Sequence, residues 1–373
     1  MTRYAQKITN AGRRWVLSRP GRYATALAIV LLIATIARYG IGLYPNLNRM
    51  LDLAINWQHP VSPRWQEDFW VNSPVSAWVA GVLGLTEPRW FLIFHVVLAT
   101  AALTLPFALP RLRRDPQQAQ LVFLVLAAGP AGAVLFSWFG SYDPVSVIGL
   151  VLAILARADA LRFLGWLVLT FNHNALGLTV IVLSLPLMLL TGRRALQRIS
   201  IRPTAIALCG VLAGFTANTI LMRIWGAETS RLDFFLRVGF ETFVHSALRA
   251  APLLAFSALG VGWLLLLDRR IRSWTVTRIM LGVAVVASLI IPILTLDQSR
   301  VLGLTLLGPM LLWTTLAVDH YPVKVLTGVW RTWRVPAVLV PVVLVWYQGF
   351  IVPGWTWFLG LDPVLQALAI LPG

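Results

Sequence analysis

The chain has 373 residues, of which 58% are hydrophobic and only 12% are charged, and its mean hydropathy is +0.77. A water-soluble protein of this length cannot bury so much apolar surface, so the composition excludes an ordinary soluble protein and favours lipid as the solvent. The net charge of +17 would indicate nucleic-acid binding in a soluble protein. Here the basic residues flank apolar runs, so we expect membrane lipids as partners and no nucleic acid.

The apolar runs predict about eleven transmembrane helices, and therefore an all-α, polytopic bundle that forms one membrane domain over residues 1–373. Two of the runs are shorter than the roughly 20 residues that a membrane-spanning helix needs. Broken or tilted helices that line a cavity would explain them. The predicted spans are 23–43, 90–110, 120–139, 144–157, 162–172, 175–191, 204–221, 250–267, 279–296, 301–318 and 335–352.

The distribution of charge predicts the orientation of the chain. With a cytoplasmic N-terminus, the cytoplasmic segments hold 22 of the 31 basic residues and only four of the 14 acidic ones. This asymmetry is the one that orients membrane proteins. An odd number of spans then places the C-terminus outside the cell. The 29 Arg against two Lys are typical of a GC-rich bacterial genome, so we expect a bacterial plasma membrane protein.

Five polar turns fall on the predicted outer face, each between two apolar segments. Two further stretches, 45–57 and 230–250, have the helical spacing of amphipathic helices that lie on the outer surface. A site on that face is predicted, because polar groups near membrane depth are costly unless they serve a purpose. The turns contain Glu67 and Asp68, "GSYDP" (140–144), "FNHN" (171–174), "ETSRLD" (228–233) and "DQSR" (297–300).

The acidic pair, Glu67 and Asp68, has two interpretations. A solvated loop flanked by the interfacial residues Trp65 and Trp70 is the simpler one. Alternatively, a carboxylate of the pair binds a divalent cation through oxygen or accepts a proton from an attacking hydroxyl.

Asp143 and the "FNHN" turn also leave alternatives open. Asp143 precedes Pro144, so it caps a helix, faces a cavity or does both. Asn172, His173 and Asn174 favour a polar pocket in which His173 donates to a phosphate or a hydroxyl, and a zinc site is disfavoured because a second His or Cys is missing.

The "DQSR" turn supplies the strongest candidate for phosphate binding. Arg300 has the planar fork that matches a phosphate. Asp297 lies three residues earlier, so a simple salt bridge is the competing interpretation. Arg231 and Arg237 are the next candidates for a phosphate ligand.

The topology and the first outer loop resemble the polytopic glycosyltransferases of the GT-C fold. Members of that family begin with a cytoplasmic N-terminus and one span, followed by a long outer loop with surface helices and one or two acidic residues. The segment "PNLNRMLDLAINW … PRWQEDF" matches this arrangement. The resemblance implies a GT-C-like bundle with Asp68 or Glu67 as catalytic base, without saying which. The soluble C-terminal domain of some members has no counterpart here.

The sequence therefore predicts an integral membrane glycosyltransferase that takes a sugar from a polyprenyl-phosphate donor to a lipid or glycan acceptor on the outer face. Glu67 and Asp68 are also the predicted ligands of Mg²⁺ or Mn²⁺, if the reaction uses a metal. A transporter or lipid flippase, which also uses broken helices and intramembrane polar groups, is the first alternative. An accessory subunit of a membrane complex is the second.

Overall fold

The computed structural model is an assembly of helices with one short β-hairpin near its C-terminal end. It describes residues 26, 29–30, 32–37, 42–44, 46–60, 69–109, 116–191, 201–227, 240–268, 270, 275–295, 297–320, 323–340, 342, 344–346 and 349–351. Glu67, Asp68, Arg231 and Arg237 lie outside these residues.

The helices follow the apolar runs of the sequence. The first group is α1 (Leu47–Ile55), α2 (Val75–Val82), α3 (Pro88–Ala108), α4 (Pro116–Ala128) and α5 (Pro130–Ser137). The second group is α6 (Asp143–Leu155), α7 (Asp159–Asn172), α8 (Asn174–Thr191), α9 (Arg202–Ile224) and α10 (Phe240–Arg249). The third group is α11 (Ala251–Leu259), α12 (Gly262–Leu267), α13 (Thr275–Ser288), α14 (Gln298–His320) and α15 (Val323–Leu339). Short 3₁₀ helices lie at Phe69–Asn72 and Ile291–Leu294, and the hairpin pairs β1 (Leu344–Trp346) with β2 (Gly349–Ile351).

Three described helices are long and apolar enough to cross a membrane: α3, α9 and the Gln298–Ala317 part of α14. Two bent pairs, α4 with α5 and α10 with α11, raise this number to five if each pair counts as one span. The helical class is thus confirmed, together with several candidate spans, while the number eleven stays a prediction.

The predicted last span, 335–352, is wrong as a single helix. Helix α15 ends at Leu339, and the antiparallel hairpin of β1 and β2 follows it. Residues 323–334, which the predicted spans 301–318 and 335–352 leave as a loop, lie instead within α15. The β-branched and aromatic residues after Leu339 favour strands, which apolarity alone does not distinguish from a helix.

Helix α14 lies at the centre of the bundle. In its apolar window 89% of the residues are buried inside the protein, against 44% for α3 and 33% for α9. Fully buried side chains such as Leu306, Leu311 and Trp313 follow its length. Arg300 lies in the first turn of this helix, so the fold places its guanidinium inside the protein.

Helices α6 and α7 form a tight antiparallel pair because glycines face each other between them. A Cβ on Gly149 would come within 2.9 Å of the Leu169 nitrogen, and one on Gly165 would overlap the backbone at Ala153. Small residues of this kind allow two helix backbones to approach closely in membrane proteins. The close antiparallel packing sets Asp143, the first residue of α6, beside Asn172, the last residue of α7.

The end of α11 packs against the break between α4 and α5. Helix α4 turns by 75° into α5 at Gly129, and α10 turns by 76° into α11. Gly260, which ends α11, has φ of +55° and lies against the backbone of Ala128 and Gly129. Residues other than glycine rarely adopt this backbone conformation.

We expect Gly260→Ala to destabilise the protein by about 2–4 kcal/mol, because backbone strain and a clash of the new Cβ with the Ala128 carbonyl oxygen add. Thermal unfolding in detergent, followed by tryptophan fluorescence, measures this. Gly282→Ala is the matched control, since a Cβ there meets nothing within 4 Å in the middle of α13. That variant should be neutral or slightly stabilising. Equal melting temperatures for the two variants would contradict the packing described for the breaks.

Candidate functional site

A buried ion-pair cluster surrounds Arg300, whose side chain is 2% exposed. Its Nη1 donates to Asp297 Oδ2 at 2.8 Å, and its Nε lies 3.5 Å from Asp143 Oδ2. Its Nη2 donates to the Tyr142 hydroxyl. One guanidinium therefore faces two carboxylates, from the starts of α6 and α14. The predicted salt bridge between Asp297 and Arg300 is present, and Asp143 joins it.

Asp143 does not cap helix α6. The residue at the N-cap position is Tyr142, and no side chain makes a capping hydrogen bond there. The Asp143 carboxylate is fully buried, and neither of its oxygens accepts a hydrogen bond from the described residues. The capping interpretation is thus wrong, because the carboxylate serves as a counter-ion of Arg300.

Aromatic rings enclose the guanidinium. The Arg300 Cζ lies 5.5 Å from the ring centroid of Trp138 and 5.1 Å from that of Tyr142. Tyr44 packs against both rings, at centroid distances of 5.7 Å and 6.4 Å. A cation held over aromatic faces keeps favourable electrostatics where water is excluded.

Tyr44 reaches the cluster through backbone pairing. Residues 42–44 run parallel to the end of α5, with a bridge between Leu43 and Phe139 and a hydrogen bond from the Tyr44 nitrogen to the Phe139 oxygen at 2.8 Å. Burial raises the pKa of the Tyr44 phenol well above its ordinary value, because the phenolate would lose its hydration. Tyr44 is therefore a neutral phenol in the cluster.

Asn172 joins three helices at the edge of the cluster. Its Nδ2 donates to the Tyr142 carbonyl oxygen and to Ser146 Oγ, both at 2.9 Å. Its Oδ1 accepts from the Val75 nitrogen at 3.3 Å. The predicted pocket residue is thus buried, and its hydrogen-bonding capacity is used to hold α2 and α6 against α7.

His173 is buried beside Tyr142, with ring centroids 5.5 Å apart. The Leu176 nitrogen donates to His173 Nδ1 at 3.2 Å. Nδ1 is thus the acceptor in this bond, so a neutral His173 would carry its proton on Nε2. Asn174 is different, because it is partly exposed and its Oδ1 accepts from the next backbone nitrogen, that of Ala175, at 2.7 Å.

A second asparagine, Asn218 of α9, holds the chain that follows the acidic pair. Its Nδ2 donates to the Asn72 carbonyl oxygen at 3.2 Å and to the Phe171 carbonyl oxygen at 2.7 Å. Asn72 ends the 3₁₀ helix that begins at Phe69, the residue directly after Asp68. The structure thus connects the end of the predicted acidic loop to the helix end that carries Asn172 and His173.

Several buried polar groups around this region make no hydrogen bond within the described part of the chain. They include the hydroxyls of Ser73, Ser76 and Ser141 and both carboxylate oxygens of Asp143. Buried polar groups in folded proteins are normally paired, with water or a ligand where the protein offers no partner. These atoms mark a place that can satisfy the hydroxyls of a bound molecule.

A second set of charges lies at the opposite end of the bundle. Asp159, at the start of α7, pairs with Arg162 and with Arg202, and Asp268 pairs with Arg270. Because Asn172 is at the other end of α7, about 20 Å away by helix rise, the two polar regions face opposite sides. The assignment of these ends to an outer and a cytoplasmic face stays a prediction.

The structure therefore brings together Asp143, Asn172, His173, Asp297 and Arg300, and it places Asn174 at the edge. Sequence reasoning missed Tyr44, Trp138 and Tyr142, although two of these lie in the same "WFGSYD" stretch as Asp143. Among the described residues no group of three or more His, Cys, Asp or Glu side chains could hold a metal ion. The predicted metal ligands, Glu67 and Asp68, lie outside those residues.

Comparison with known proteins gives no family for this chain. No family model, no curated protein and no solved structure matches it.

Because Asp143 is fully buried and Arg300 is its nearest cation, we expect Arg300→Met to destabilise the protein by about 3–5 kcal/mol through an uncompensated buried charge. Asp297→Asn should cost no more than about 1 kcal/mol, since the Asp297 side chain is 21% exposed. The thermal and denaturant unfolding of purified protein measures both.

Adding Asp143→Asn to Arg300→Met should recover part of the loss, because the second change removes the unpaired carboxylate. If Asp297→Asn were as destabilising as Arg300→Met and the double variant recovered nothing, Asp143 would not be the principal counter-ion.

Proposed function

We propose that the protein is an integral membrane glycosyltransferase that moves a sugar from a polyprenyl-phosphate donor to a lipid or glycan acceptor at the outer face. The observation that carries the proposal is the buried cluster of Arg300, Asp143 and Asp297, joined through Asn172 and Asn218 to the chain just after Glu67 and Asp68. Donor phosphate and catalytic base would then meet at one end of the bundle.

The acidic pair is within reach of the cluster because the chain directly after it is fixed. Asn72 is fixed by Asn218, and Asp68 precedes Asn72 by four residues. Because Phe69–Asn72 is a 3₁₀ helix with a rise of about 2 Å per residue, Phe69, which is bonded to Asp68, lies only about 6 Å from Asn72 along the helix. A carboxylate on Glu67 or Asp68 can therefore approach a ligand held between Asn172, His173 and Arg300.

The reaction assigns one role to each group. The acceptor hydroxyl oxygen attacks the anomeric carbon of the donor, and its proton passes to the carboxylate of Asp68 or Glu67. The bond between the anomeric carbon and the phosphate oxygen breaks, and polyprenyl phosphate leaves with the electron pair. Arg300 and the Nε2 of His173 stabilise the charge that develops on that phosphate. A positioned base of this kind contributes about 10²–10⁴-fold to the rate.

Arg300 must exchange a partner to hold a phosphate, because two carboxylates already face it. Asp297 is the partner that can leave, since its side chain is 21% exposed whereas that of Asp143 is buried. A phosphate oxygen would take the place of Asp297 Oδ2 on Nη1, while Asp143 and Tyr142 keep the guanidinium in place. Mg²⁺ or Mn²⁺ at Glu67 and Asp68 stays a prediction, and the steps above do not depend on it.

The charge of the cluster also favours one alternative, a transporter. Two carboxylates against one guanidinium leave an excess of negative charge when both are ionised, and ionisable groups at membrane depth frequently mark proton or cation pathways. A transporter would move its substrate across a vesicle membrane without chemical change, so the two functions differ in their products.

We expect Asp68→Asn or Glu67→Gln to abolish sugar transfer, because one of the two carboxylates accepts the proton of the acceptor hydroxyl. Purified variants are assayed for transfer from a polyprenyl-phosphate sugar, and their unfolding is measured in parallel. Stability should change by no more than about 0.5 kcal/mol, as is usual for loop carboxylates. Asp52→Asn, which removes a partly exposed acid from α1, is the matched control and should retain transfer. Full activity in both Asp68→Asn and Glu67→Gln would overturn the assignment of the base.

A further inference from the structure

We infer that Asn218 is a positioning residue that fixes residues 69–72, the segment directly after Glu67 and Asp68, against the end of α7 that carries Asn172. The inference rests on the proposed function for its catalytic consequence, but the attachment itself can be tested without any activity. Asn218 lies far from the other polar turns in sequence, in the middle of an apolar helix, and nothing in the sequence analysis singles it out.

The Asn218 side chain is buried and therefore needs hydrogen-bond partners inside the protein. Its side chain is 1% exposed, although it lies in α9, a candidate membrane span with a strongly apolar surface. An amide at this depth costs free energy unless its donors are satisfied inside the protein. Both recorded bonds of its Nδ2 end on backbone oxygens, and neither of these lies in α9.

These two backbone oxygens belong to the two segments that the proposed reaction must hold at a fixed distance from each other. Asn72 closes the 3₁₀ turn directly after the acidic pair, and Phe171 precedes Asn172 and His173 at the end of α7. One side chain thus connects the end of the acidic segment to the end of α7. Asn172 adds a second connection three residues later, from its Oδ1 to the Val75 nitrogen.

Helix packing keeps Asn218 itself in place. Gly214 and Gly210, about one and two turns earlier on the same face of α9, lie against α7, where a Cβ on Gly214 would come within 3.0 Å of the Phe171 nitrogen. Because this contact fixes α9 against α7, the Asn218 amide has a rigid base from which to hold Asn72. A misplacement of about 1 Å at a catalytic group can lower a rate by about 10²-fold.

Asn218→Leu removes the donors while it keeps the branched shape of the side chain. Hydrogen exchange of the full-length protein in detergent reports the attachment, through peptides that cover residues 69–78. We expect exchange in these peptides to accelerate roughly five- to tenfold, as for the loss of a buried hydrogen bond, while peptides from α14 stay unchanged. Thr219→Val is the matched control, because the Thr219 hydroxyl donates to Phe215 within the same helix.

The same variants are assayed for transfer from a polyprenyl-phosphate sugar. For Asn218→Leu we expect kcat to fall about tenfold or more with the KM for the donor nearly unchanged, and Thr219→Val to match the natural protein. General misfolding of the variant would lower the fraction of active protein, and it would not confine faster exchange to residues 69–78. Asn218→Ala, which introduces no new bulk, replaces Asn218→Leu if the latter does not purify as a single species.

Each outcome decides one question. Unchanged exchange in residues 69–78 overturns the attachment, whatever the activity. Faster exchange with an unchanged kcat overturns the positioning role. If the natural protein transfers no sugar from any lipid-linked donor, the proposed function and the catalytic role of Asn218 both fail, while the exchange result still decides whether Asn218 holds the segment.

Discussion

The buried guanidinium of Arg300 is the constraint on which the arrangement of this end of the protein depends. A cation that is 2% exposed needs counter-charges inside the protein, and three segments supply its partners. Asp297 directly precedes the helix of Arg300, Asp143 and Tyr142 lie at the start of α6, and the Trp138 ring lies at the end of α5. Residues 42–44 lie beside the cluster because their backbone pairs with the chain at the end of α5.

The surrounding helices explain how such a charge is kept out of water and of lipid. Helix α14 is enclosed by other helices, so its first turn opens into protein and not into the bilayer. Glycines between α6 and α7 allow the start of α6 to lie beside the end of α7. The side-chain amides of two asparagines then bond to backbone oxygens at these helix ends. Polar groups are thus concentrated at one end, where two breaks in the helices replace continuous spans.

Much of this could be predicted from the sequence, because hydropathy reports burial in lipid and polar turns interrupt it visibly. The helices at 88–108, 174–191 and 202–224 follow apolar runs closely, and the turns with Asp143, Asn172 and Arg300 do converge. Hydropathy does not report bends, so the breaks at Gly129 and Ala250 and the hairpin after Leu339 were not predictable from it.

The interaction partners of individual side chains also could not be predicted from the sequence. Asp143 before Pro144 has the pattern of a helix cap, but the distant Arg300 outweighs a local hydrogen bond, because a buried charge without a counter-ion costs several kcal/mol. Tyr142 and Asn218 gave no signal, since a tyrosine in a turn and an asparagine in an apolar helix are interpreted only when their neighbours are known. The prediction of Glu67 and Asp68 as the base remains a prediction.

The central claim is that this end of the bundle transfers sugars from a lipid phosphate. The most direct measurement reconstitutes the purified protein in vesicles with a panel of polyprenyl-phosphate sugars labelled in the sugar. It follows the release of polyprenyl phosphate together with the movement of label. Our account predicts that at least one donor yields free polyprenyl phosphate and label on an acceptor at a rate above that of empty vesicles. Label that crosses the membrane on an intact donor, with no polyprenyl phosphate released, would contradict it and identify a transporter.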